Sequence, residues 1–206
     1  MKGEEAVLIV VDMQNDFCPG GALAVPHGDE IIGLINALSH RFQHVLLTQD
    51  WHPKGHISFA SSHPGHKPYD QIEVSYGMQV LWPDHCVQNT QGARIVEDLR
   101  IPHAEMIIRK GFYSDIDSYS AFLEADRKKK TGLAGYLKER GFKKIYCVGL
   151  ATDFCVSWTA LDAAAEGFET YIIEDVCRGI DIHGSLDVAK TAWRQAGIHC
   201  ISTHEL

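Results

Sequence analysis

The sequence predicts an α/β fold organised around a parallel sheet, and three observations carry that reading. Six short runs rich in aliphatic and β-branched residues recur along the 206 residues, helical apolar patterns lie between them, and reactive polar side chains follow the ends of the runs. Parallel strands need long crossover connections, and a sheet covered on its faces by helices reads as near-continuous apolar runs.

The first run, Ala6 to Val11, is almost wholly aliphatic, as an interior strand should be, and it ends at Asp12. Ile31, Ile32, Leu34, Ile35 and Leu38 then recur at helical spacing. The second run, His44 to Thr48, leads to Asp50. From Trp51 to Asn89 no clear period is present. That segment is rich in His, Pro, Gly and Ser and exceeds the length of a loop left without a task, so it is the expected place of a site. The third run is Glu105 to Arg109, followed by Lys110. Leu133, Tyr136 and Leu137 predict a helix on the sheet that ends at Arg140-Gly141, with the glycine suited to a C-cap. The fourth run, Lys144 to Gly149, passes through a short turn to Cys155 and a predicted helix from Val156 to Ala165, with Thr152 or Asp153 as its N-cap. The fifth and sixth runs are Glu169 to Ile173 and Ile198 to Ser202.

Length suits one sizeable core, so 1–206 reads as a single domain with an insertion at about 51–91. Hydrophobic content of 45% and charged content of 22% are those of a globular chain, without low-complexity stretches or repeats. The net charge of −8 argues against a nucleic-acid partner, and the basic cluster Arg127-Lys-Lys-Lys130 reads as a solvated approach to a helix. No apolar run reaches the roughly 18 residues of a membrane span, and no basic stretch precedes a long apolar one at the start. The expectation is a cytoplasmic protein with no membrane partner. Cys18, Cys86, Cys147, Cys155, Cys177 and Cys200 are dispersed, which argues against a disulfide framework; Cys86, Cys147, Cys177 and Cys200 read as packing residues.

Cys155 is the exception. In the first turn of a helix, unpaired N–H groups and the positive end of the dipole favour thiolate, which can take a cysteine pKa from about 8.5 to roughly 3.5–7.5. The competing reading is a small buried core residue. Placement decides between them: Asp12, Asp50, Lys110 and Cys155 all follow carboxyl ends of strands, and in an open parallel sheet those ends border the ligand crevice. Alone, Asp12 could cap a turn and Lys110 could be a surface lysine. Together with Cys155 they form a nucleophilic set. Asp12 can take the thiol proton and pass it to a leaving group, while Lys110 opposes the build-up of negative charge. Backbone N–H groups of Ala151 and Cys155 are the nearest oxyanion donors, and the whole points to attack on an acyl carbon.

Asp50-x-His52 places one oxygen and one nitrogen ligand on one side of an extended backbone, and His85 follows in Trp82-Pro-Asp-His-Cys86. Zinc, iron or manganese would suit such a set.

At these residues the chain resembles the isochorismatase-like cysteine hydrolases, and among them the nicotinamidases, which also hydrolyse pyrazinamide. The matching pieces are Val11-Asp-Met-Gln-Asn-Asp-Phe17, Gly20-Gly-Ala-Leu23, Asp50-Trp-His-Pro53, His56-Ile-Ser-Phe59, Trp82 to Cys86, Arg109-Lys-Gly111, Tyr119-Ser120 and Gly149-Leu-Ala-Thr-Asp-Phe-Cys155. The resemblance implies a three-layer sandwich, a six-stranded parallel sheet with helices on both faces. It implies Asp12, Lys110 and Cys155 as catalytic residues, a cis Leu150-Ala151 peptide whose Ala151 N–H joins the oxyanion hole, and Asp50, His52 and His85 as ligands of one divalent metal, zinc first and iron or manganese as alternatives. His56 is open, because the family places a histidine, a glutamate or water there. His63 and His66 match no role and read as solvated.

In the family the metal takes the pyridine nitrogen of the substrate, with Phe17 and Trp82 matching residues that pack on the ring and Tyr119 a further wall. Phe154 is histidine in some members, a departure that bears on pocket shape. The implied activity is hydrolysis of nicotinamide to nicotinate and ammonia, in NAD salvage, through a Cys155 thioester, in a protein whose relatives are frequently oligomeric. Two competing readings are an amidase of the same fold for a different small amide, separable by a panel of amides, and a metal-binding thiol sensor, for which Asp12→Ala would leave function intact.

Overall fold

The computed structural model describes residues 2–206. Its main sheet contains β1 (Lys2–Val11), β2 (Phe42–Asp50), β5 (Ala104–Lys110), β6 (Lys144–Leu150), β7 (Glu169–Arg178) and β8 (His199–Ile201), with α1 (Ile32–Ser39), α2 (Leu133–Glu139), α3 (Ser157–Ala165) and α4 (Ser185–Ala196) in the connections. The strand order is β5-β2-β1-β6-β7-β8, and every pairing in it is parallel. This is the six-stranded sheet with helices that the sequence predicts.

Chain direction reverses across the sheet between β1 and β6. From β1 the chain moves outward to β2 and β5; it then crosses to β6 and moves outward the other way to β7 and β8. Right-handed crossovers therefore put α1 on one face and α2, α3 and α4 on the other, and they open a crevice at the carboxyl ends of β1 and β6. The two strands meet there in register, Val11 opposite Gly149. Only glycine fits: Gly149 has φ +115°, and a Cβ on it would lie 2.2 Å from the Val11 carbonyl oxygen.

Residues Val7 to Val11, Ile145, Cys147, Val148 and Leu150 are fully or almost fully buried between the helical layers. α4 closes the outer layer by burying Trp193, whose Nε1–H donates to Ser157 Oγ at 2.7 Å and fixes α4 on α3. Between β2 and β5 lies the long irregular segment, and it contains an antiparallel hairpin, β3 (Gln71–Val74) with β4 (Gly77–Val80), that the sequence pattern does not reveal. α4 and the extension of β7 to Arg178 also go beyond the sequence reading. No described helix is long and apolar enough to cross a membrane.

Candidate active site and metal centre

Lys110, the last residue of β5, is wholly buried and lies at the centre of the crevice. Its Nζ is 2.8 Å from Asp12 Oδ2, 3.1 Å from Asp50 Oδ1, 3.1 Å from the Ser118 carbonyl oxygen and 3.4 Å from Cys155 Sγ. Three residues from three strand ends thus meet around one ammonium. Asp12 reaches it because the chain turns just past β1 with φ +48°, a left-handed conformation that Asp tolerates better than most residues. Thr48 on the neighbouring strand β2 locks the carboxylate: its hydroxyl donates to Asp12 Oδ1 at 2.5 Å and its oxygen accepts the Asp12 N–H at 3.0 Å. Asp12 Oδ2 keeps its ion pair with Lys110 but receives no well-aligned hydrogen bond, so that buried oxygen is free to accept a proton.

Cys155 lies in one wide turn, Thr152–Val156, closed by Phe154 N–H and Val156 N–H to the Ala151 carbonyl, each at 3.1 Å. The Leu150–Ala151 peptide ahead of it is cis, as the resemblance implies. α3 begins only at Ser157, with Val156 as its N-cap and no capping side chain, so neither Thr152 nor Asp153 caps it. The expected lowering of the thiol pKa does not occur. Burial pushes Cys155 well up; Lys110 opposes this, while the Asp12 and Asp50 charges add to it. Burial also raises Asp12 against the pull of Lys110. Lys110 itself resists its burial because Asp12, Asp50 and Cys155 hold it well above the usual lysine range. The resting pair is a thiol beside a carboxylate of raised basicity.

Asp50 ends β2 and divides its two oxygens between two tasks. Oδ1 faces Lys110; Oδ2 lies 2.9 Å from His52 Nε2 and 3.4 Å from His85 Nε2. Each imidazole donates its other nitrogen to a carbonyl, His52 Nδ1 to Gly111 at 2.9 Å and His85 Nδ1 to Pro83 at 2.8 Å. That orients the rings so that His52 Nε2, His85 Nε2 and Asp50 Oδ2 converge, all three residues buried. Such a donor set is suited to a cation, and the 2.9 and 3.4 Å separations from Asp50 Oδ2 bracket the roughly 3.3 Å between ligand atoms around a tetrahedral zinc.

His56 is not part of this set. Its ring lies 4.2 Å from that of His52, its Nε2 donates to the Ile116 carbonyl at 3.1 Å, and its Nδ1 accepts the Ser58 hydroxyl at 2.7 Å. Burial, then the charge of His52, lowers its pKa to about 4, which keeps it neutral. Asp117, near His52 and His56, is likewise engaged, Oδ2 by Gln79 Nε2 at 2.7 Å and Oδ1 by the Ser118 N–H at 2.8 Å.

The crevice opens on a narrow, mostly apolar cleft lined by Phe17, Leu23, Trp82, Asp117, Tyr119, Ala151, Phe154, Cys155 and Ile180, with Asp50 and His85 also on its wall. Trp82 Nε1–H donates to the Tyr119 hydroxyl at 3.0 Å, and the Phe154 ring meets Trp82 edge-on at 5.0 Å. The three ring-contact residues predicted from sequence, Phe17, Trp82 and Tyr119, all reach this cleft.

The profile of the isochorismatase domain matches residues 6–205. The chain belongs to the isochorismatase family. It is 54% identical over 205 residues to a nicotinamidase of Acinetobacter baylyi, covering all of this chain and 96% of that protein. The structure of a nicotinamidase and pyrazinamidase of Acinetobacter baumanii superposes with a TM-score of 0.99 at 56% identity, over 100% of this chain and 99% of that one. A pyrazinamidase of Pyrococcus horikoshii in complex with zinc aligns with a TM-score of 0.78 at 39% identity, over 96% and 99% of the two chains.

Within this isochorismatase-family site, the residues at strand ends are legible in the sequence and those that hold them are not. Gln14 clamps the end of β2, donating to the Asp50 carbonyl at 2.8 Å and accepting the Asp50 N–H at 2.7 Å. Asp16 accepts the Cys86 N–H at 2.7 Å and so places the neighbouring His85. Both lie in the Val11 to Phe17 motif, whose polar density was the available signal. All six cysteines are free, and His63 and His66 lie outside the site.

Proposed function

We propose that this protein hydrolyses nicotinamide to nicotinate and ammonia, a step of NAD salvage, with Cys155 as nucleophile and zinc held by Asp50, His52 and His85. One observation carries the reading: Lys110 Nζ contacts the base Asp12, the thiol Cys155 and the metal-facing carboxylate Asp50 together, so a thiol hydrolase and a ring-recognition site share one crevice. The strong similarity to nicotinamidases over the full length supports it.

As sulfur attacks the carboxamide carbon, the thiol proton moves from Sγ to Asp12 Oδ2. The oxyanion is received by the backbone N–H groups of Ala151 and Cys155. Asp12 returns the proton to the departing nitrogen, ammonia leaves, and a thioester remains on Cys155. Asp12 then takes a proton from a water molecule that attacks the thioester; nicotinate is released and the proton returns to sulfur. Lys110 remains charged throughout and keeps the carboxylates from repelling the developing thiolate. A divalent cation in the Asp50, His52 and His85 set supplies a Lewis acid for the pyridine nitrogen. Phe17, Trp82 and Tyr119 give a flat apolar slot for the ring.

Pyrazinamide carries a ring nitrogen in the same relation to its carboxamide and is the second expected substrate. The test combines elemental analysis with ammonia release from nicotinamide. About one equivalent of metal and turnover are expected; a metal-replete sample that releases no ammonia from either amide rules the assignment out.

A further inference from the structure

Asp153 lies two residues before the candidate nucleophile, yet its carboxylate faces away from the reaction and into the segment 179–185. Oδ1 accepts the Ile180 N–H at 3.0 Å; Oδ2 accepts the Asp181 N–H at 2.8 Å and the Ser185 hydroxyl at 2.5 Å. The held segment is an uncommon conformation, with Asp181 at φ +55° and His183 at φ +53° before Gly184 at φ +80°. Left-handed non-glycine residues persist where surrounding contacts over-determine them. The fit is close on the other side too, since a Cβ on Gly179 would lie 3.1 Å from Asp153 Oδ1 and 2.8 Å from Leu186 Cδ2. The residue carried by this arrangement is Ile180, which lines the same cleft as Ala151, Phe154 and Cys155.

We propose that Asp153 is a positioning residue that acts through Ile180, and that Ile180 sets the size of ring the cleft accepts, admitting an unsubstituted pyridine carboxamide and excluding ring-substituted ones. The physical basis is that three hydrogen bonds to one carboxylate fix an aliphatic wall that a flexible loop alone would leave free to retreat. The inference rests on the nicotinamide reading above.

The test is steady-state kinetics on nicotinamide and its ring-methylated derivatives for the wild type, Ile180→Ala, Asp153→Ala and the double variant. Wild-type turnover of nicotinamide is the control that belongs to the earlier reading, and its failure is therefore separable from failure here. Ile180→Ala is expected to reduce the preference in kcat/KM for nicotinamide over at least one methylated derivative by about tenfold, the usual worth of a methyl group in a tight apolar pocket. Asp153→Ala is expected to raise the KM for nicotinamide about tenfold with kcat within about threefold, and to add nothing in the Ile180→Ala background. Should Asp153→Ala not fold, Asp153→Asn, which keeps the shape but presents an amide to two donors, gives an intermediate rise in KM.

Unchanged ring preference in Ile180→Ala overturns the proposal. So does a loss confined to kcat in the Asp153 variants, which would place their effect on the Cys155 turn, or a KM effect that persists without the Ile180 side chain.

Discussion

Gly111→Ala tests the metal centre without touching a ligand. Gly111 follows Lys110 with φ +67°, and its carbonyl accepts His52 Nδ1–H at 2.9 Å. A Cβ added there would stand 2.5 Å from His52 Cε1, 2.8 Å from His52 Nδ1 and 3.0 Å from Asp50 Oδ1. Ordinary contact begins near 3.4 Å, so the imidazole must retreat by about 0.9 Å. A metal ligand tolerates displacements of roughly 0.2 Å. Zinc affinity should therefore fall by at least the 10- to 100-fold typical of losing an orienting partner behind a ligand. The left-handed backbone adds about 1–2 kcal/mol of destabilisation, which for a chain of this size lowers the melting temperature by about 2–8 °C. Zinc titration of metal-stripped protein against a competing chelator measures the first quantity, and melting in excess chelator isolates the second. Because Lys110 is adjacent, lost activity alone would not discriminate. A zinc Kd within about twofold of wild type would refute the reasoning.

Cys155→Ala should lose at least about 10,000-fold in kcat while keeping one equivalent of metal and an unchanged far-UV spectrum, since the proposed reaction needs the thiol and the donor set does not include it. The raised pKa of Asp12 places the acid limb of kcat/KM above the ordinary aspartate range near 3.9: the base must be ionised, so activity rises as pH climbs through the raised value. Asp12→Asn should abolish that limb and cost about 100- to 10,000-fold in kcat/KM, read from a full pH profile. Stripping the metal should abolish nicotinamide turnover, lower the melting temperature by roughly 5–15 °C, and be reversed by added zinc; an undiminished rate in excess chelator would refute it.

The strand ends were legible because a parallel strand buried on both faces needs an unbroken apolar run, and Ala6–Val11 and Lys144–Gly149 supply one. Asp12 and Cys155 follow such runs, whereas Lys110 ends the edge strand β5, whose residues alternate between half-buried and exposed; topology brings the three together. The elements missed have little buried surface to imprint a pattern. α4 buries only Ala189 and Trp193, and the β3–β4 hairpin leaves Met78 65% exposed. Thr48, Gln14 and Asp16 act through tertiary hydrogen bonds that leave no spacing signal. The reading of the thiol failed for a related reason: a helix terminus can be seen in sequence, whereas the depth at which it is buried cannot.

That burial is what makes the arrangement workable. A thiol held well above its ordinary pKa is a poor nucleophile until its proton has somewhere to go, and Asp12, the acceptor in the proposed reaction, is raised by the same burial. Transfer of the proton moves one negative charge from Asp12 Oδ2, 2.8 Å from Lys110 Nζ, to Cys155 Sγ, 3.4 Å from it. At an effective dielectric constant of roughly 20 the two positions differ by only about 1 kcal/mol in their attraction to the ammonium. The net charge of the crevice does not change, and Lys110 need not move, because its other contacts to Asp50 and the Ser118 carbonyl hold it between the two sites. In water the same transfer would require a solvent shell to dissolve around the carboxylate and reassemble around sulfur. Here a fixed ammonium serves both anions, and the depth that silences the thiol at rest also removes the solvent whose reorganisation would oppose its activation.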